Sequence, residues 1–107
     1  MPVIRVGSAV TQINVFTVEP GRQQPLLDYL AQAAEVAAEV PGWISASLHR
    51  SLDGTRVVNY AQSADLDAAQ RVVRHLGSRG LLEGNKAFGQ AQPGLYEVSF
   101  TLDRDDL

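Results

Sequence analysis

The sequence predicts an α+β domain in the order β-α-β-β-α-β, the split βαβ or ferredoxin-like sandwich, in which two helices cover one face of a four-stranded antiparallel sheet. Three observations carry this prediction. Two stretches with apolar steps of three and four each sit between strand-like runs, and Asp53-Gly54 joins the two central runs as a hairpin. The run 57–61 (VVNYA) is apolar on both alternating sets of positions, as in a strand covered on both faces. With 107 residues, 45% of them hydrophobic, the chain makes one domain over 1–107 and has no room for a separate cofactor domain.

Residues 11–18 (TQINVFTV) are rich in β-branched and aromatic types and end at Glu19-Pro20-Gly21, which makes them strand one with Asn14 in its middle. From Pro25 to Val40 the positions Leu26, Leu27, Leu30, Ala33, Ala34, Ala37 and Val40 form an apolar stripe, with Pro25 in the first turn and Pro41-Gly42 as the stop. Residues 43–50 and 55–62 are the hairpin strands, with Ser51 facing Arg56, His49 facing Val58, Leu48 facing Asn59 and Ala46 facing Ala61. Ser63 is the expected cap of a second helix carrying Leu66, Ala69, Val72, Val73 and Leu76, and Gly77 its expected end. Residues 78–92 hold three glycines and read as a loop with one short helix around Leu81-Leu82. After Pro93-Gly94, residues 95–102 (LYEVSFTL) alternate as the last strand, and an acidic tail follows.

A chain this short buries only about two-thirds of its unfolded surface, so a substrate pocket competes with the core for apolar residues. Dimerisation by packing of the second sheet face relieves that competition, and a homodimer is expected. The chain has no Cys, which excludes thiol nucleophiles, disulfides and Cys-ligated metals. Its net charge of -3, with nine basic residues scattered along the chain, offers no basic stripe for nucleic acid. The longest apolar-rich stretch carries Asp28, Glu35 and Glu39, and the N-terminus lacks a signal-like pattern, so the expectation is a soluble cytoplasmic protein without a membrane segment.

Standard catalytic sets are missing. His49 and His75 lie 26 positions apart without metal-ligand spacing, so no metal site is expected. Asp65 and Asp67 suit a helix start, and the glycines at 77, 80, 84 and 89 fit no phosphate cradle, so no nucleotide, flavin or other cofactor is expected. Asn14 and Asn59 stand out because Asn is depleted in strands and a buried amide needs partners. They either bind and stabilise a substrate oxygen, or each caps a backbone group or sits at a bulge. Trp43 and Tyr60 are anchors of a core, an interface or a pocket. His75, at the end of helix two near the glycine-rich loop, is either a surface residue favoured by the helix dipole or a pocket residue.

At Pro41-Gly42-Trp43 and along residues 52–62 (LDGTRVVNYAQ) the chain resembles the antibiotic biosynthesis monooxygenase family. That resemblance implies a small α+β chain forming a dimeric α/β barrel, and it extends in element order over nearly the whole sequence. The family includes cofactor-independent oxygenases acting on aromatic polyketide anthrones. By resemblance, Asn14 and Asn59 match amides that line the substrate pocket of those enzymes. Ser63 stands where they usually place a Trp. Haem-degrading relatives pair a strand-one Asn with that Trp and a helix-two His, which Asn14 and His75 match, and haem ranks below polyketide.

The implied activity is oxidation of an anthrone-type polyketide to a quinone with O2, without cofactor. Asn14 and Asn59 stabilise the enolate, while Trp43, Tyr60, Ser63, His75 and Phe88 contact a small aromatic substrate. The alternative is a polyketide cyclase or aromatic-ligand binder on the same fold, which the missing Trp at Ser63 motivates. A third reading is a dimeric housekeeping or stress protein with an incidental pocket.

Overall fold

The structure is a computed structural model that describes residues 1–7, 9–84 and 90–107. The expected pocket residue Phe88 lies outside these described residues. The elements are β1 (Val10–Thr17), α1 (Gln23–Ala37), β2 (Trp43–Arg50), β3 (Arg56–Ser63), α2 (Leu66–Ser78), the short α3 (Leu81–Gly84) and β4 (Gln90–Tyr96). A 3-10 turn at Arg104–Asp106 follows. The four strands form one antiparallel sheet in the order β2-β3-β1-β4, the ferredoxin-like arrangement. Within one chain this sheet is open and does not close as a barrel.

The hairpin register follows from the local turn chemistry. Asp53 accepts from the Thr55 hydroxyl at 2.6 Å, the Ser51 hydroxyl at 2.8 Å and the Thr55 backbone N–H at 3.0 Å. Gly54 takes the left-handed conformation that this turn requires, at φ +83. Ala46 then pairs with Ala61, Leu48 with Asn59 and His49 with Val58, and the Ser51 N–H donates to the Arg56 carbonyl at 3.0 Å. A bulge between Trp43 and Ser45 adds a residue to β2 and sets Trp43 opposite Ser63.

Helix α1 has no side-chain cap at Arg22 and is held instead by its buried stripe of Leu26, Leu30, Ala33 and Ala37. Gln23 ties its start to the hairpin, donating to the Ser51 carbonyl at 3.1 Å and the Arg56 carbonyl at 2.9 Å. Of its last expected residues, Ala38 still bonds to the Ala34 carbonyl, and Glu39 and Val40 leave the helix through tighter three-residue bonds to the Val36 and Ala37 carbonyls. Phe16, Val18, Leu26, Leu30 and Val57 form the core, with Leu27 and Leu48 packed against it. Phe16 is fully buried, and truncating such a ring costs about 3–5 kcal/mol.

Three expectations about boundaries are corrected. The cap of α2 is Asp65, whose carboxylate accepts from the Ala68 N–H at 2.8 Å, whereas Ser63 is the buried last residue of β3. A carboxylate at the positive end of the helix adds a charge interaction that a hydroxyl lacks. The helix passes Gly77 and ends at Ser78, and Gly80, at φ +73, takes the left-handed position that follows. Strand β4 contains Pro93-Gly94 instead of starting after it. As the sheet edge, it tolerates a residue without an N–H. Its pairing ends with Tyr96 opposite Thr11, beside the start of β1 at Val10. The alternating residues Val98, Phe100 and Leu102 therefore have no strand to join, and Phe100 is 77% exposed.

Candidate functional site: two opposed amides under the helices

Alternation along the strands sorts the sheet into two faces. Phe16 and Val57 are opposed and buried beneath α1, so residues two and four positions away share the helix-covered face. Asn14 and Asn59 belong to that set and are directly opposed across β1 and β3. Side chains so paired have their Cβ atoms about 4.5–5.5 Å apart. The register of β1 on β3 is continuous through both residues, so neither sits at a bulge.

Each Asn is half-buried, and its Oδ1 atom is fully buried without a hydrogen-bond partner among the described residues. An unpaired buried acceptor costs about 1–3 kcal/mol. Two side by side form a concentrated penalty that a bound molecule with suitable polar groups would remove. An amide carries two donors and two acceptor lone pairs, and turning it about its terminal torsion exchanges its ends. The same pair can therefore accept from a hydroxyl or donate to a developing oxyanion.

Apart from Leu48 opposite Asn59 and Pro93 opposite Asn14, the surroundings are small or polar. On the sheet, Ala46, Ala61 and Gln12 form the row next to the amides. Ala33 and Ala37 on α1 and Ala68 and Ala69 on α2 are the small buried residues of the covering layer. The large apolar core is confined to the Phe16 end. Gln12 is a third amide on this face, opposite Ala61 and Leu95, and has no hydrogen bond among the described residues. Its position two residues before Asn14 was the available signal, and the β-branched run around it masked that signal.

Trp43 shares the same face through its pairing with Ser63, and its Nε1 is buried without a partner. The close approach of α2 fixes the chain there. A Cβ on Gly42 would stand 2.7 Å from the Ala68 Cβ, and Gly42 itself has φ +93. Ser63 and Trp43 thus stand together at one end of the face, two residue pairs from Asn59.

Tyr60 does not join them. It pairs with Ile13 and Ser47 on the opposite face, because neighbours along a strand alternate sides and Asn59 has taken the inner one. His75 lies in the last turn of α2, where its Nε2 meets Oε1 of Glu39, just beyond α1, at 3.0 Å, and Arg79 reaches the same oxygen at 3.4 Å. These contacts hold the Glu39 carboxyl below its ordinary pKa, chiefly through the His75 hydrogen bond. His75 is accounted for by this surface network and not by the amide pair. His49 contacts Ser47 at 2.9 Å, and its partner Val58 places it on the opposite face.

Among the described residues, no group of three or more His, Asp or Glu side chains comes together as a metal site, and no helix is long and apolar enough to cross a membrane.

Comparison with known proteins adds independent findings. The profile of a family described as antibiotic biosynthesis monooxygenase matches residues 9–87. Over 53 residues the chain is 49% identical to tetracenomycin-F1 monooxygenase of Streptomyces glaucescens, a match covering 49% of this chain and 47% of that protein. The chain thus spans about half the length of the curated relative it matches. It is also similar to SnoaB, a cofactor-independent oxygenase from Streptomyces nogalater, with a TM-score of 0.80 and 28% identity over 90% of this chain and 98% of that one. A third similar protein is the ActVA-Orf6 monooxygenase of Streptomyces coelicolor, solved in complex with Nanaomycin D. It has a TM-score of 0.76 and 29% identity over 89% of this chain and 91% of that one.

Proposed function

The chain belongs to the antibiotic biosynthesis monooxygenase family, and from that premise we propose that it is a cytoplasmic, cofactor-independent monooxygenase oxidising an anthrone-type aromatic polyketide to a quinone with O2. The observation that carries this reading is the opposed pair Asn14 and Asn59, with both Oδ1 atoms buried and unpartnered. The names of the relatives support it, since SnoaB is a cofactor-independent oxygenase and tetracenomycin-F1 monooxygenase is also similar.

The chemistry needs little from the protein. An anthrone carries an acidic CH2 between aromatic rings, and loss of one proton gives an enolate. Amide donors from Asn14 and Asn59 stabilise the negative charge on its oxygen. The enolate passes one electron to O2, the resulting radicals combine as a carbon-bound hydroperoxide, and the proton returns to the peroxide. Loss of water, taking the remaining hydrogen from the same carbon, leaves the quinone carbonyl. One oxygen atom ends in the product and one in water, so the electrons balance without an added reductant. Trp43, Ser63 and Gln12 border the substrate on the inner face, with the chain's part being orientation and charge stabilisation.

Dimerisation belongs to the same proposal. Ile13, Val15, Val58 and Tyr60 are half-buried on the face opposite the helices, and Tyr96 is 54% exposed there. A second sheet packed on this face would cover them, and light scattering at micromolar concentration is expected to give twice the chain mass.

A second reading is favoured by Ser63. This small buried residue occupies the place where the resemblance puts a Trp, as suits a cyclase or aromatic-ligand binder. An oxygen electrode separates the two. Purified metal-free protein with a tricyclic anthrone is expected to consume O2 above the uncatalysed rate. Ligand binding without O2 uptake would instead establish the second reading, and Ser63→Trp would then be the substitution to examine.

A further inference from the structure

Between α2 and β4 lies a cleft of about 400 Å3 lined by Ala69, Gln70, Val73, Arg74 and Leu95. Its size is that of a small-molecule site. Leu95 stands opposite Gln12, and Gln12 opposite Ala61. The wall of the cleft therefore continues the floor on which Asn14 and Asn59 lie. With neighbouring strands about 4.8 Å apart, β4 and β3 are separated by about 10 Å, a distance that a fused-ring molecule lying across the strands can bridge.

Among the described residues the lining is apolar except at one side, where Gln70 and Arg74 stand one turn apart on α2. Arg74 is exposed and carries no ion pair among the described residues. Asp67 is engaged by Arg71 at 3.2 Å, and Glu39 by His75 and Arg79. An unpaired guanidinium at the mouth of an apolar cleft is complementary to a planar aromatic acid. The rings cover Ala69, Val73 and Leu95, and the carboxylate takes two parallel N–H donors. Against a net charge of -3, a local cation favours the approach of an acid, and α2 supplies one in Arg74.

We propose that this cleft admits the substrate and that Arg74 recognises a carboxylate at the end of the ring system remote from the reacting carbon, directing the other end to Asn14 and Asn59. The inference rests on the proposed function for the reacting end, and Arg74 is a specificity-determining residue in it. The test uses anthraquinone-2-carboxylate and 2-(hydroxymethyl)anthraquinone. Both are already oxidised, so binding is read apart from turnover through quenching of Trp43, the single Trp of the chain.

The wild type is expected to bind the acid at least tenfold more tightly than the alcohol. Arg74→Gln is expected to abolish that preference while leaving the affinity for the alcohol unchanged. Arg74→Lys should retain part of it, and Arg79→Gln, away from the cleft, all of it. Equal affinity of the wild type for acid and alcohol, or an undiminished preference in Arg74→Gln, would overturn the proposal. The two ideas fail separately. Loss of preference in Arg74→Gln without any anthrone oxidation would sustain this site and sink the oxygenase. Asn59-dependent oxidation with equal binding of acid and alcohol would do the reverse.

Discussion

Replacing Asn59 with Leu separates a functional amide from a structural one, because the two roles give opposite signs in stability. Leu has the same number and branching of side-chain heavy atoms as Asn, with bulkier methyl ends, so the substitution removes polar atoms without opening a cavity. The Oδ1 of Asn59 is buried and unpartnered, and removing it relieves a penalty of about 1–3 kcal/mol. For a domain near this size, that gain raises the melting temperature by roughly 4 °C per kcal/mol. Turnover moves the other way. Loss of one donor to a developing oxyanion costs about 100- to 1000-fold in kcat, or about 2.7–4 kcal/mol. Asn14 is opposed to Asn59 and would share its ligand, so the Asn14→Leu/Asn59→Leu double variant should depart from additivity by about 0.5–3 kcal/mol. Thermal melts and oxygen uptake on the four proteins make the measurement. A lowered melting temperature with unchanged kcat/KM in Asn59→Leu would refute the reasoning and make the amide a structural element.

Other outcomes follow from contacts away from the amide pair. Asp65→Ala removes the observed cap of α2 and should cost about 1 kcal/mol by denaturant titration, whereas Ser63→Ala removes no cap. Hydrogen bonds from the Thr55 hydroxyl, then the Ser51 hydroxyl and the Thr55 backbone, push the Asp53 carboxyl down to about 2. Its folded pKa lies below its unfolded value, so its contribution is present above the ordinary carboxylate range and is lost as pH falls through about 2. Asp53→Asn should flatten that part of the acid-unfolding curve. No imidazole stands by the amide pair, since His49 lies on the other face and His75 on the helix surface. The pH-rate profile should accordingly show no break near the imidazole value of about 6.5, and His49→Ala and His75→Ala should retain turnover.

Much of the fold was legible because its signals are local. Asp53-Gly54 and the flanking alternation set the hairpin register residue by residue, and three-and-four spacing located both helices. Strand β4 was misplaced because Pro93-Gly94 reads as a boundary, while an edge strand needs no N–H at every position. Asn14 and Asn59 were each conspicuous as polar residues in apolar strands. Their direct opposition depends on the β1–β3 register, which joins segments 45 positions apart in sequence. Tyr60 follows Asn59 directly, and adjacency in a strand puts side chains on opposite faces. The face occupied by Trp43 depends on a bulge that no turn residue announces.

The most direct test of the central claim follows isotopic oxygen into the product. Metal-free purified protein is supplied with a tricyclic anthrone under 18O2, alongside the Asn14→Leu/Asn59→Leu variant. Quinone carrying a single 18O atom, formed by the wild type well above the uncatalysed rate and by the variant near it, is the predicted result. Product formed equally fast by both proteins, or no faster than without protein, would contradict the assignment of oxygenase chemistry to the paired amides.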